Sequence, residues 1–117
     1  MSPTLVLKDG QTVISWGAAG GPKIITQVAQ ELVCLLDLGM IPEKALAQPR
    51  IHHQWVPNEL MVEKMLRPAL RAGLAERGHK VKRMPRMGVS QIVARSSDGR
   101  GFLGSADPRA SGNAAGW

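Results

Sequence analysis

The sequence predicts an α+β domain with a mostly antiparallel sheet and helices on at least one face. Three observations lead there: two β-prone runs around an Asp-Gly pair at the front, a long apolar helical stretch after a glycine-rich break, and strand-like segments towards the end. A chain of 117 residues fits one domain or a piece of one. Its 44% apolar content can supply a core without disulfides or metals.

Residues 4–8 (TLVLK) and 12–16 (TVISW) flank Asp9-Gly10, a strong signal for a two-residue hairpin. Gly17, Gly20, Gly21 and Pro22 then break the strand. Apolar residues at 24, 25, 28, 32, 35 and 36, with more at 29 and 33, predict a helix over 22–38. Pro22 suits its first position and Gly39 its cap. A helix so widely apolar is expected to be buried on more than one side.

PEKALAQ (42–48) reads as a short helix closed by Pro49, and RIHHQWV (50–56) as extended. Pro57-Asn58 turns the chain, so that LMVEKM (60–65) can pair back as a strand. A third helix is expected over 67–77, with Pro68 in its first turn and Gly78 as its cap. HKVKRM (79–84) and SQIVAR (90–95) read as strands, and Asp98-Gly99 starts a turn before GFLGSAD (101–107). The small, Gly-rich tail 110–117 is expected to be loosely held.

Fifteen Lys and Arg against nine Asp and Glu give a net charge of +6. Lys64, Arg67, Arg71, Arg77, Lys80, Lys82, Arg83 and Arg86 fall in one stretch with Glu76 as its only acid. Such a stretch is compatible with a small basic nucleic-acid-binding module, with a non-enzymatic interaction surface for an acidic partner, or with a solvated face. The solvated face is favoured. Aromatic content is 3% with no Tyr, so bases have little to stack on, and no nucleic-acid-binding signature accompanies the charge.

The single Cys34 lies among Leu32, Val33, Leu35 and Leu36 and is expected to pack as a small apolar group. No apolar run approaches the 18 or so residues that span a bilayer, and MSPTLVLKDG has no basic region leading into an apolar one. The residues given therefore read as soluble, without an export signal.

Gly17-Ala18-Ala19-Gly20-Gly21-Pro22 is the most informative local pattern, because a strand running through glycines into a helix presents unpaired backbone N–H groups. Such groups suit a phosphate, a carboxylate or the oxyanion of an acyl-transfer intermediate. Locally, a tight turn requiring positive φ is the better-supported reading. His52 and His53 are adjacent on an extended segment and point to opposite faces, which argues against a shared metal ion. No metal or cofactor is expected. Glu59 and Glu63 flank a strand without forming an acid/base pair, Ser15, Ser90 and Ser105 lack a nucleophile signature, and Asp107 with Arg109 could order a loop.

Four segments in order, Met1-Ser2-Pro3-Thr4, GAAGGPKI (17–24), PRIHHQWVPNEL (49–60) and GSADPR (104–109), resemble the γ-glutamyltranspeptidase family across nearly the whole chain. The resemblance implies an N-terminal-nucleophile hydrolase with an αββα sandwich. In that family a precursor cleaves itself into large and small subunits, and the new N-terminal threonine of the small subunit attacks γ-glutamyl compounds such as glutathione. It implies that residues 1–117 form the C-terminal part of the small subunit, partnered by the rest of that subunit and the large one. The nucleophile, and a serine pair that helps hold the substrate α-carboxylate, would fall before Met1.

Of the family's active-site residues, Gly20 and Gly21 carry over as the oxyanion-hole amides, and the resemblance makes that their favoured role. The chain departs from the family at Ala18-Ala19, where serine and proline are common, and at Pro22, where a small residue is common. Family members are often periplasmic or extracellular. The segment alone is expected to be inactive and, with its sheet edges unpaired, to self-associate or to need its missing partner.

Overall fold

The computed structural model describes residues 2–116. Strands β1 (Ser2–Lys8) and β2 (Gln11–Ala19) form the expected antiparallel hairpin. Asp9 and Gly10 both have positive φ, 51° and 76°, as the turn's twist requires. Strand β2 does not break at Gly17: that residue pairs with Pro3 on one side and Gln91 on the other, and the ladder holds as far as Ala19. Having partners on both edges outweighs the low strand propensity of glycine.

Helix α1 (Lys23–Leu32) follows, continued by a π-helical turn over Val33–Asp37. Pro22 is the residue before the helix, already in helical conformation at φ −61°. Gly39 ends the segment at φ 61°, while Leu38 N–H bonds Val33 C=O at 3.0 Å and Met40 N–H bonds Cys34 C=O at 2.9 Å. The expected helix is therefore present but ends in a wider turn.

Next come α2 (Pro42–Ala47), β3 (Ile51–His52), β4 (Leu60–Glu63), α3 (Pro68–Glu76), β5 (Val81–Met84), β6 (Val89–Arg95) and β7 (Phe102–Ala106). The extended reading of 50–56 contracts to Ile51–His52, because Trp55 adopts φ 70° and Val56 N–H folds back onto Gln54 C=O. One sheet runs β1-β2-β6-β7 and is antiparallel throughout. The other runs β3-β4-β5, antiparallel between β3 and β4 but parallel between β4 and β5. The parallel pair arises because α3 serves as its crossover. The α+β class holds, with one antiparallel and one mixed sheet.

Ile14, Trp16, Leu46, Ile92 and Ala94 form the larger core, with Val28, Leu32 and Leu35 of the first helical segment against it. Leu60, Val62 and Leu66 form a smaller one under α3. Burial of α1 on several sides is not what the structure contains. Its fully buried side chains are Gln27 and Glu31, whereas Ile25, and Val33 and Leu36 of the π-helical turn that continues it, are exposed. The two polar residues lie one turn apart and face a polar cluster between the sheets, so that face of the helix is buried by hydrogen bonding.

Cys34 is half-buried, and burial, aided by Glu31, pushes its thiol above the ordinary value. No helix among the described residues is long and apolar enough to cross a membrane. Residues 111–116 of the tail are exposed and without regular structure, and Trp117 lies outside the described residues.

Candidate active site

The bend at Gly20-Gly21 lies where β2 hands over to α1. Gly20 has φ 154° and Gly21 φ 60°, the second in the left-handed region that glycine adopts without strain. Their carbonyls accept from Lys23 N–H at 3.4 Å and Ile24 N–H at 3.1 Å, forming the first helical turn. No turn, loop or side-chain acceptor among the described residues takes a hydrogen bond from either glycine amide. Ala19, Gly21 and Pro22 are exposed and Gly20 is half-buried, so the bend is open to a ligand. Pro22 has no N–H to offer, which leaves the glycine amides as the donors at this corner.

Behind the bend lies Met87-Gly88, entering β6. A Cβ on Gly20 would sit 3.0 Å from Gly88 Cα, so the two backbones touch. Buried charges clamp this neighbouring segment. Met87 N–H donates to Glu63 Oε1 at 2.7 Å, Met87 C=O accepts from Arg50 Nη1 at 2.8 Å, and Ser90 N–H donates to Asp107 Oδ2 at 2.8 Å.

The charges also bind one another. Arg50 Nη2 donates to Glu31 Oε1 and Asp107 Oδ2, both at 2.6 Å. Arg109 grips Glu63 through Nε and Nη2 and reaches Asp107 Oδ1 at 3.1 Å. Three carboxylates thus face two guanidiniums.

Their environments separate the three acids. Burial pushes the Glu31 carboxyl up, and Arg50 with the Ser90 hydroxyl only partly offsets it, so the group stays above the usual range. Burial acts in the same direction on Glu63 but is outweighed by Arg109 and the Arg50 and Met87 amides, which hold it below the usual range. Asp107 is likewise held low: the Arg109 and Ser90 amides and the Arg50 guanidinium overcome its burial. Burial alone would lower Arg109, but Glu63 and Asp107 keep it raised.

The sequence suggested that Asp107 and Arg109 order a loop. They do so within a cluster that also holds Glu63, which the sequence considered only as half of an acid/base pair with Glu59, and Glu31 and Arg50, which it did not single out. The available signal was the four-residue spacing of Gln27 and Glu31, which places both on one face of the helix. Ser90 belongs to this cluster as a hydrogen-bonding residue.

The histidines separate, as adjacent residues of an extended segment should, with His52 ending β3 and His53 just beyond it. His52 is buried, with Nδ1 2.8 Å from Thr26 Oγ1 and Nε2 2.9 Å from Gln54 Oε1. His53 meets Asn58 and accepts from the Trp55 N–H. Among the described residues, no three His, Cys, Asp or Glu side chains stand close enough to share a metal ion.

Much of the basic stretch is already engaged. Lys82 and Lys80 pair with Glu59 at 2.9 and 3.0 Å, holding its carboxyl below the ordinary value. Arg71, Arg77 and Arg86 donate to backbone carbonyls.

The family model for γ-glutamyltranspeptidase matches residues 1–117. The chain belongs to the γ-glutamyltranspeptidase family. It is 43% identical over 109 residues to the glutathione hydrolase proenzyme of Escherichia coli strain K12, covering 93% of this chain and 19% of that protein. Two solved members of the family share the fold. The Helicobacter pylori γ-glutamyltranspeptidase T380A mutant superposes with a TM-score of 0.87 at 35% identity, covering 94% of this chain and 61% of that one. The Pseudomonas nitroreducens γ-glutamyltranspeptidase complexed with L-DON gives 0.90 at 27% identity, covering 100% and 62%. The chain spans about a fifth of the length of the curated relatives it matches.

Proposed function

We propose that residues 1–117 form the C-terminal part of the small subunit of an enzyme that cleaves γ-glutamyl amides such as glutathione. The γ-glutamyl group passes to water or to an amino-acid or peptide acceptor. In this reading the parent is an αββα sandwich, and this segment contributes the oxyanion loop. The nucleophile is an N-terminal threonine on polypeptide outside the segment, which also carries the groups that hold the substrate's α-amino and α-carboxyl ends.

The observation that carries the proposal is the exposed bend at Gly20 and Gly21, whose amides meet no turn, loop or side-chain acceptor among the described residues, in a chain matched by the family along its length. When the threonine Oγ adds to the γ-carbonyl carbon, the carbonyl π electrons move onto oxygen. Two N–H donors aimed at that oxygen stabilise the developing charge. Collapse of the intermediate breaks the C–N bond, and the amine leaves with a proton. Water or an acceptor amine then attacks the acyl-enzyme over the same loop.

Each such donor is worth about 2.7–4 kcal/mol in the transition state. That alone does not make an acyl-transfer enzyme without a nucleophile and its base. The purified 117-residue chain should therefore leave a chromogenic γ-glutamyl anilide unhydrolysed, while the complete enzyme turns it over. Hydrolysis that co-purifies with the chain alone would overturn the assignment of the nucleophile to another segment.

A further inference from the structure

We propose that Gln27, oriented by Ser90 and Glu31 and given room by Gly88, is a positioning residue that props the Gly20-Gly21 bend from behind. The inference rests on the oxyanion reading of that bend.

Gln27 is 1% exposed, and its side chain crosses from α1 to β6. Its Nε2 donates to Ser90 Oγ. Ser90 has a single hydroxyl proton and gives it to Glu31 Oε2 at 2.9 Å, so towards Gln27 it acts as an acceptor. This chain of donors fixes the amide's direction, with nitrogen towards Ser90 and oxygen towards the bend.

Gln27 Oε1 is buried and has no hydrogen-bond partner among the described residues. It stands 3.6 Å from where a Gly20 Cβ would be and 1.9 Å from where a Gly88 Cβ would be. Ala19 C=O is 2.8 Å from that same Gly88 point. The Gln27 amide therefore fills the space that the absent Gly88 side chain leaves beside the end of β2. A buried carbonyl oxygen without a partner is desolvated and uncompensated, so an apolar side chain there would leave the fold at least as stable. What the glutamine supplies is a fixed wall behind the bend, anchored through Ser90 and Glu31 to Arg50 and Asp107.

The test uses the complete enzyme carrying this segment, with Gly21→Val, Gln27→Met and Gln27→Glu assayed on a γ-glutamyl anilide. Gln27→Met keeps the side chain's length but loses the bond to Ser90. It should lower kcat about tenfold, with KM changed by less than about twofold and the melting temperature unchanged or higher. Gln27→Glu can donate to Ser90 only while protonated, and when ionised it opposes Glu31, behind which lie Arg50 and Asp107. Its kcat should approach wild type at acidic pH and fall as the pH rises, adding a limb to the pH profile. This second variant stays informative even if Gln27→Met fails to fold.

Full kcat in Gln27→Met, a loss of kcat that follows a loss of melting temperature, or a wild-type pH profile in Gln27→Glu would overturn the positioning role. Full kcat in Gly21→Val would instead overturn the oxyanion reading itself.

Discussion

Arg109, just beyond β7, holds Glu63 at the end of β4 across 46 residues of sequence, through Nε to Oε1 at 2.7 Å and Nη2 to Oε2 at 2.5 Å. The pair joins the antiparallel sheet to the mixed one. The same guanidinium donates to Leu46 C=O at 2.6 Å and Gln48 C=O at 2.8 Å, which also ties down the end of α2. Because Glu63 in turn receives the Met87 N–H, this clasp reaches the backbone lying behind the glycine bend. Fold stability and the geometry of the candidate site therefore share one set of buried charges.

Removing Arg109 should be costly. Arg109→Ala leaves Glu63 buried without its partner, a loss of about 3–5 kcal/mol. Arg109→Lys keeps the charge but cannot present the planar fork that meets both carboxylate oxygens and two carbonyls, so it should recover only part of that loss. Urea unfolding followed by the fluorescence of buried Trp16 gives the measurement, with Lys expected between Ala and wild type.

The three buried acids should give stability a two-sided pH dependence. Glu63 and Asp107 are held below their ordinary values of 4.5 and 3.8, so the stabilisation they confer is present above those values. It is lost as pH falls through their lower folded ones. Glu31 is raised above 4.5, so its contribution is present below that value and lost as pH rises through its folded one. Asp107→Asn should flatten the acid limb and Glu31→Gln the upper limb. Unfolding midpoints measured across pH for the three proteins separate the two effects.

The isolated segment should self-associate. β1 and β7 form the edges of the antiparallel sheet, and Leu5 and Leu7 on β1 are 60% and 61% exposed, as is Phe102 on β7 at 67%. Unpaired strand edges beside exposed apolar side chains template further pairing. Sedimentation velocity at increasing concentration should show species larger than the 12.6 kDa monomer. A single monomeric boundary would count against it.

Local signals were legible where a short stretch determines its own conformation. Asp9-Gly10 set the hairpin, Gly39 and Gly78 ended their helical segments, and Pro42 and Pro68 opened theirs. What could not be read was anything decided by distant residues. Gly17 stays in its strand because β6 pairs with it, and β5 runs parallel to β4 because α3 carries the chain across. The burial of Gln27 and Glu31 follows from partners 19 to 63 residues away, Arg50 and Ser90 among them. Gly20 and Gly21 read locally as a turn or an anion site, with the turn favoured, and only the likeness of four separated segments to a family made the oxyanion role the favoured one.

The two glycines of the bend should respond differently to substitution. A Cβ at Gly20 would meet Gly88 Cα at 3.0 Å, a contact with backbone that no side-chain movement relieves, so Gly20→Ala should shift the bend itself. A Cβ at Gly21 meets nothing within 4 Å, and the cost there is the left-handed conformation at φ 60°, about 1–2 kcal/mol for alanine. In the complete enzyme Gly21→Ala should therefore retain much of its activity. Gly21→Val should lose far more, because a branched side chain at this exposed corner also obstructs the approach to the amides. Gly20→Ala should lower kcat with little change in melting temperature if the loop shifts locally, and both together if the clamp at Gly88 yields. Activity and melting temperature measured on the same three variants distinguish obstruction of the amides from displacement of the bend. Equal losses for Gly21→Ala and Gly20→Ala would contradict the packing difference on which the prediction depends.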